Sequence, residues 1–225
     1  MYKRQLDTIL KSLVKENNEK IPHSVCLIAP HANANPTLTA DLAWVKQVLS
    51  RMGIPVVATL THRTPLSEIE HAASAETSLL LSHDAGQNAV EYLKEAHCIE
   101  PIGRGIPLPI GMTNTQRWLA ALGERFDRQK VVEEMIAEGE RMVMATCRRK
   151  WPMARFLYRT PAAIVSDATV GIPLVRFITE EMEMTPELVA LYTSHRPVRD
   201  LLESELKDLK LTPKVMYGAD AVSST

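Results

Sequence analysis

Between Gln5 and Glu16 apolar residues recur every three or four positions. Leu6, Ile9, Leu10, Leu13 and Val14 share one face and charged residues take the other, which predicts an amphipathic helix. A short unbroken apolar run, Val25–Ala29, lies between Pro22 and Pro30 and reads as a strand buried on both faces. The alternation then repeats. A helix is predicted over Asp41–Met52 with Leu42, Val45, Val48 and Leu49 inward, and Gly53 stops it. Ile54–Leu60 is a second buried strand, and Thr64-Pro65 opens a helix that runs through Ala75. Thr77–Ser82 gives a third strand, Asp84–Ala96 a third helix and Ile99–Ile102 a fourth strand. Strands alternating with helices over short connections specify a parallel sheet with helices on both faces.

After a Gly/Pro-rich segment at Gly103–Gly111, Thr113-Asn-Thr-Gln116 fits a capping box, with Thr113 as N-cap of a helix carrying Trp118, Leu119 and Leu122 inward. A long helical stretch follows over 127–150, and Trp151-Pro152 is expected to interrupt it. A second α/β unit opens with a strand at Ala162–Val165. It continues with a helix from Asp167 to about Met182, a strand at Leu188–Tyr192, a helix at Pro197–Leu209 and a strand at Lys214–Tyr217. The reading is therefore an α/β chain of Rossmann-like parallel sheets, one complete domain plus a truncated second one. Its parts are an N-terminal helix in 1–22, a Rossmann-like domain in 23–122, a helical connector in 123–159 and the start of a second Rossmann-like domain in 160–225. Three short strands closing at the chain end predict a poorly covered sheet, with Val189, Leu191, Val215 and Met216 partly exposed.

Composition narrows the function classes. The net charge of −1 gives no electrostatic reason to expect nucleic acid or an anionic membrane as a partner. No apolar run approaches the roughly 18–20 residues that cross a bilayer, and no hydrophobic signal region follows the basic start. Cys26, Cys98 and Cys147 are far apart, without a CxxC, which argues against a disulfide framework and a self-contained zinc site and fits a reducing, cytoplasmic setting. No metal is expected in this chain alone. Gly103-Arg-Gly105 precedes prolines instead of a helix start, so no dinucleotide fingerprint is present.

Candidate site residues are those at the carboxyl ends of predicted strands, where open parallel sheets bind ligands. His31 follows the first strand, His83-Asp84 the third, and Ser166-Asp167 the first strand of the second unit. For Asp84 and Asp167 the competing role is N-capping of the next helix; for His31 it is that of a solvated loop histidine. No catalytic residue can be named from spacing.

Several segments together resemble one family. SVCLIAP, then DLAWVKQVLSRMGIPVVATL, then LSEIEHAASAETSLLLSHDAGQNAVEYLKEAHCIEPI, and most specifically PLPIGMTNTQRWLAAL, are similar to the nitrogenase component 1 type oxidoreductases. That family includes the nitrogenase catalytic subunits, their cofactor-assembly homologues and the dark-operative protochlorophyllide reductase. The resemblance covers about residues 5–220 and implies the middle and the opening of the third of three Rossmann-like domains. The opening MYKRQ also resembles an adapter-derived peptide at the ends of broken metagenomic gene models, which implies a partial reading frame.

The resemblance implies an oxidoreductase working in a multi-subunit complex, with the fragment alone inactive. An ATP-dependent iron–sulfur reductase protein would pass electrons to it, a homologous component 1 subunit would pair with it, and an iron–sulfur cluster would be held by ligands outside this chain. His31, His83, Asp84, Ser166 and Asp167 are then substrate- or cluster-pocket candidates. The family's catalytic α subunits carry a cluster-ligating cysteine after the third strand of the middle domain, where this chain reads Ser82-His83-Asp84; the departure fits a β-like subunit, an assembly scaffold or a reductase of another substrate. The rival expectation is a two-lobed small-ligand or metal-chelate binding module.

Overall fold

The computed structural model describes residues 2–16, 19–29, 37–60, 64–154, 156–193 and 195–218. Contacts divide the chain into two compact units, 1–104 with 125–131, and 105–124 with 132–225. The sequence boundary at 122 falls inside the second of these.

In the first unit α1 (Tyr2–Leu13) precedes β1 (Ile21–Ile28), α2 (Leu38–Arg51), β2 (Val56–Leu60), α3 (Leu66–His71), β3 (Ala75–Leu80), α4 (Gln87–His97) and β4 (Glu100–Ile102). The four strands are parallel in the order β2-β1-β3-β4. β1 is central because it is apolar on both faces: Val25, Cys26, Leu27 and Ile28 are all fully buried. Cys26, Ile28, Ala58 and Leu60 share one core with Leu10 of α1 and Ala89, Val90 and Leu93 of α4. Burial pushes the Cys26 thiol up to about 12, so it packs there as a small hydrophobe. On α2 the buried residues are the four predicted, and Gly53 follows its end at φ +70°.

Two local expectations are corrected. α4 starts at Gln87, not Asp84, because Gly86 takes a left-handed conformation (φ +93°) at its N-cap. Trp151-Pro152 does not interrupt the connector helix: α6 runs unbroken from Gln129 to Ala154.

The second unit holds most of α5 (Met112–Phe126) and of α6, with β5 (Pro161–Ser166), α7 (Ala168–Arg176), β6 (Thr185–Leu191), α8 (Arg196–Asp208) and β7 (Lys214–Tyr217). Its strands are parallel in sequential order, β5-β6-β7. Right-handed crossovers in sequential order put both helices on one face, and Ile172 and Val175 of α7 and Val198, Leu201 and Leu202 of α8 pack there on Ile164, Val189 and Leu191. This overturns the expected exposure of Val189 and Leu191, both at 0%, while Met216 remains 42% exposed. Gly171 permits the close helix–sheet approach, since a Cβ there would lie 2.6 Å from Leu191 Cδ2.

α7 contains Pro173 and widens into a π-helical turn over Phe177–Glu181. That turn carries Glu181 to the start of α5, where its Oε1 accepts from the Thr113 backbone N–H at 3.1 Å. Thr113 is thus not the N-cap: the helix begins at Met112, and Gln116 donates to Glu140 instead of reaching back. The fully buried Asn114 donates from Nδ2 to the carbonyls of Ile110 (2.8 Å) and Pro173 (2.9 Å) and ties the turn to α7. Gly111 sits between them at φ +82°, with no room for a side chain: a Cβ would lie 2.5 Å from Glu181 Oε1 and 2.6 Å from Phe177 Cδ2. Gly111→Ala adds left-handed strain to overpacking and is expected to cost about 3 kcal/mol. Glu181→Ala, losing only the carboxylate at a helix N-terminus, should cost about 0.5–1 kcal/mol. Urea titration ranks the two, and a neutral Gly111→Ala would refute the crowding.

Arg176 is buried at 4% exposure and held by three carboxylates: Glu205 Oε2 from Nε (2.8 Å), Glu180 Oε1 (2.8 Å) and Asp208 Oδ2 (2.5 Å). Glu205, itself 1% exposed, also accepts from Arg117 of α5 at 2.8 Å. Burial works to lower the Arg176 pKa, but the bonds to Asp208 and Glu205 outweigh it and raise it. Removing one partner of a buried pair leaves an uncompensated charge, so Glu205→Ala should cost about 3–5 kcal/mol. Replacing the pair together, Arg176→Met with Glu205→Leu, should cost far less, as read by denaturation midpoints.

Candidate functional site at the strand ends

The order β2-β1-β3-β4 winds outward from β1 in both directions, so the crevice of an open α/β sheet lies at the carboxyl ends of the adjacent strands β1 and β3. The Leu81 N–H donates to the Ile28 carbonyl at 2.8 Å and holds the two exits side by side. His31 lies beyond β1, outside the described residues.

Beyond β3 the chain enters a tight turn over 83–85. The buried Ser82 builds it: its Oγ accepts from the N–H groups of Asp84 (3.1 Å) and Ala85 (3.3 Å). Gln87 Nε2 donates back to the His83 carbonyl at 2.7 Å. Asp84 is therefore a turn residue, not the N-cap of α4. His83 is half-buried as a residue, while its Nε2 is shielded from solvent. Burial pushes its imidazole down to about 4, against a smaller upward pull from Asp84. At neutral pH the ring is uncharged and offers one N–H and one lone pair.

In the second unit Ser166 and Asp167 occupy the exit of β5. The Ser166 carbonyl accepts from Tyr192 N–H at 3.1 Å, and Asp167 Oδ1 accepts from Val170 N–H at 2.9 Å as the N-cap of α7. The capping role expected for Asp167 is the one it takes. His83-Asp84 and Ser166-Asp167 belong to different compact units.

Sequence reasoning missed Ser82 as the residue that shapes the turn and Gly86 as the cap. The signal was present in Asp84-Ala-Gly86, a turn sequence that ends on the residue best suited to positive φ. A cleft of about 650 Å³ lies beside β2 and the segment entering it, lined by Lys46, Ser50, Gly53, Pro55, Thr59 and Glu68 among others, and includes neither His83 nor Asp84.

Among the described residues no three His, Cys, Asp or Glu side chains gather as a metal site. Cys26 is sealed in the core, and Cys98 and Cys147 are exposed. The described residues therefore do not by themselves fit an iron–sulfur cluster. No helix among them is long and apolar enough to cross a membrane.

The family model for nitrogenase component 1 type oxidoreductases matches residues 2–223. The chain belongs to that family. Solved structures that share its fold include the following two. Nitrogenase Cp1 at pH 6.5 superposes with a TM-score of 0.77 at 17% identity, over 98% of this chain and 49% of that one. Nitrogenase Cp1 at pH 5 gives 0.65 at 17% identity, over 96% and 47%. The chain thus spans about half the length of these relatives. No curated protein matches the sequence. Component 1 type proteins are oxidoreductases that generally bind iron–sulfur clusters and work with a reductase component in hetero-oligomers.

The depressed His83 pKa has a consequence for stability. The folded state holds the ring neutral while the unfolded chain protonates near 6.5. The contribution is present above pH 6.5 and is lost as pH falls from 6.5 through about 4. Discounted for the half-buried position, it amounts to about 2 kcal/mol. Denaturant titrations at pH 7 and pH 4 should show His83→Gln reducing the pH dependence by that amount. An unchanged slope would mean the ring is solvated.

Proposed function

We propose that this chain supplies the middle domain and the opening of the third domain of a component 1 type subunit. In this reading an ATP-dependent iron–sulfur reductase protein delivers electrons to a cluster whose ligands lie outside the chain, and a homologous component 1 subunit completes the complex. The family match over residues 2–223 carries the proposal. The turn after β3 supports it, because Ser82-His83-Asp84 lies at the crevice of the first sheet.

Within that complex His83 and Asp84 of the first unit, and separately Ser166 and Asp167 of the second, are assigned as substrate- or cluster-pocket candidates, with His31 a further candidate from the sequence. His83 contributes a neutral imidazole that can donate or accept a hydrogen bond without adding charge. The turn fixed by Ser82 sets its place. Asp167 keeps its carboxylate on the α7 N-terminus, and the Tyr192 N–H holds the Ser166 carbonyl. The chain alone is assigned no activity.

The test is iron analysis and electron paramagnetic resonance on the anaerobically purified full-length complex. Iron–sulfur signals that respond to the reduced reductase and ATP are expected. An iron-free, signal-free complex rejects the redox role.

A further inference from the structure

The cleft beside β2 lies at the free edge of the first sheet, since β2 is the outermost strand in β2-β1-β3-β4. α2 supplies Lys46 and Ser50 to one wall, four residues apart and so on the same side of the helix. α3 supplies Glu68 to another. The apolar stretch 54–56 and Thr59 of β2 line the space as well. None of the four polar side chains, Lys46, Ser50, Thr59 and Glu68, has a hydrogen-bond or ion-pair partner among the described residues. Glu70, on the same helix as Glu68, instead pairs with Lys15 at 2.8 Å. Thr59 is only 2% exposed, and its Oγ1 is shielded from solvent without a partner. Buried hydroxyls are seldom left so, because the hydrogen bond lost with water is not replaced.

The lining narrows what can occupy the cleft. One cation and one carboxylate on separate walls offset each other, so a simple anion or cation gains at one what it loses at the other. An added strand is poorly matched, because Pro55 has no N–H and the Thr59 carbonyl already accepts from Thr64 Oγ1. A small molecule with both charges and an apolar body matches every wall, and the volume is that of an ordinary ligand site. We infer that this cleft binds a small apolar zwitterion, an amino acid or short peptide with free ends. Its carboxylate meets Lys46 and Ser50, its ammonium meets Glu68, and its apolar side chain lies along 54–56. One of its oxygens accepts from the Thr59 hydroxyl. The inference does not rest on the redox reading, since neither His83 nor Asp84 lines the cleft.

The test is isothermal titration calorimetry on the full chain with leucine, leucyl-leucine, N-acetyl-leucyl-leucine and leucyl-leucinamide. A dissociation constant of about 1 mM or tighter is expected for leucine or leucyl-leucine, and the tighter of the two identifies the source. Acetylating the amine or amidating the carboxylate of leucyl-leucine should each weaken binding about fivefold or more, by removing one charged contact. Lys46→Met should erase the difference between leucyl-leucine and its amide. Glu68→Gln should erase the difference between leucyl-leucine and its acetylated form. Thr59→Val should leave the urea midpoint unchanged or higher, since no hydrogen bond within the fold is lost, while weakening binding about threefold. Circular dichroism checks the folding of each variant, and the blocked ligands test the natural chain should a variant fail to fold. Failure of both zwitterions to bind at about 10 mM, blocked forms that bind as tightly as the free one, Lys46→Met and Glu68→Gln chains that keep both differences, or a Thr59→Val chain that binds unchanged would each overturn the inference.

Discussion

The pairing of β1 with both β2 and β3 is the constraint on which the first unit depends. A strand hydrogen-bonded on both edges and covered on both faces has no polar contact with water, so its sequence must be apolar without alternation. Val25–Ile28 satisfies this. The consequences follow in order. Winding outward from β1 in two directions puts α2 on one face of the sheet and α3 and α4 on the other. It also opens the crevice between the exits of β1 and β3. His83 is neutral because burial at that exit keeps its ring away from water.

The second unit solves a different problem. Its sequential strand order places both helices on one face, and the charged Arg176 is buried beside that core. Three carboxylates and the second arginine, Arg117, convert this liability into a junction of α5, α7 and α8. The π-helical turn after α7 adds a further tie, since the extra residue per turn re-aims Glu181 at the start of α5. A carboxylate at a helix N-terminus meets unpaired N–H groups and the positive end of the helix dipole, so the irregular helix is coupled to a regular one through a favourable contact.

What could be read in the sequence was whatever local periodicity dictates. Every strand and helix was placed within a few residues, because runs such as Val25–Ala29 and faces such as Leu42–Leu49 need no knowledge of their neighbours. Long-range partners decided the rest. Thr113-Asn-Thr-Gln116 carries the pattern of a capping box, yet Glu181, distant in sequence, caps the helix and Gln116 bonds Glu140. Nothing in the local sequence pairs Arg176 with Glu205, and only the tertiary fold buries them together. The position of His83 was legible from the strand that precedes it. Its neutrality was not, because that depends on enclosure.

The exit of β3 limits the chemistry available there. Ser82 Oγ accepts two backbone N–H bonds and is spent on the turn. Cys26, one of the chain's three cysteines, lies within β1 and packs in the core, with its thiol pushed up to about 12, and supplies no thiolate to the crevice. What remains is an uncharged imidazole beside a carboxylate. An uncharged ring can orient a polar group or hold a proton in place, and its basicity, far below neutral, makes it a poor general base. The strand end is therefore suited to orienting a polar group and not to taking up a proton near neutral pH.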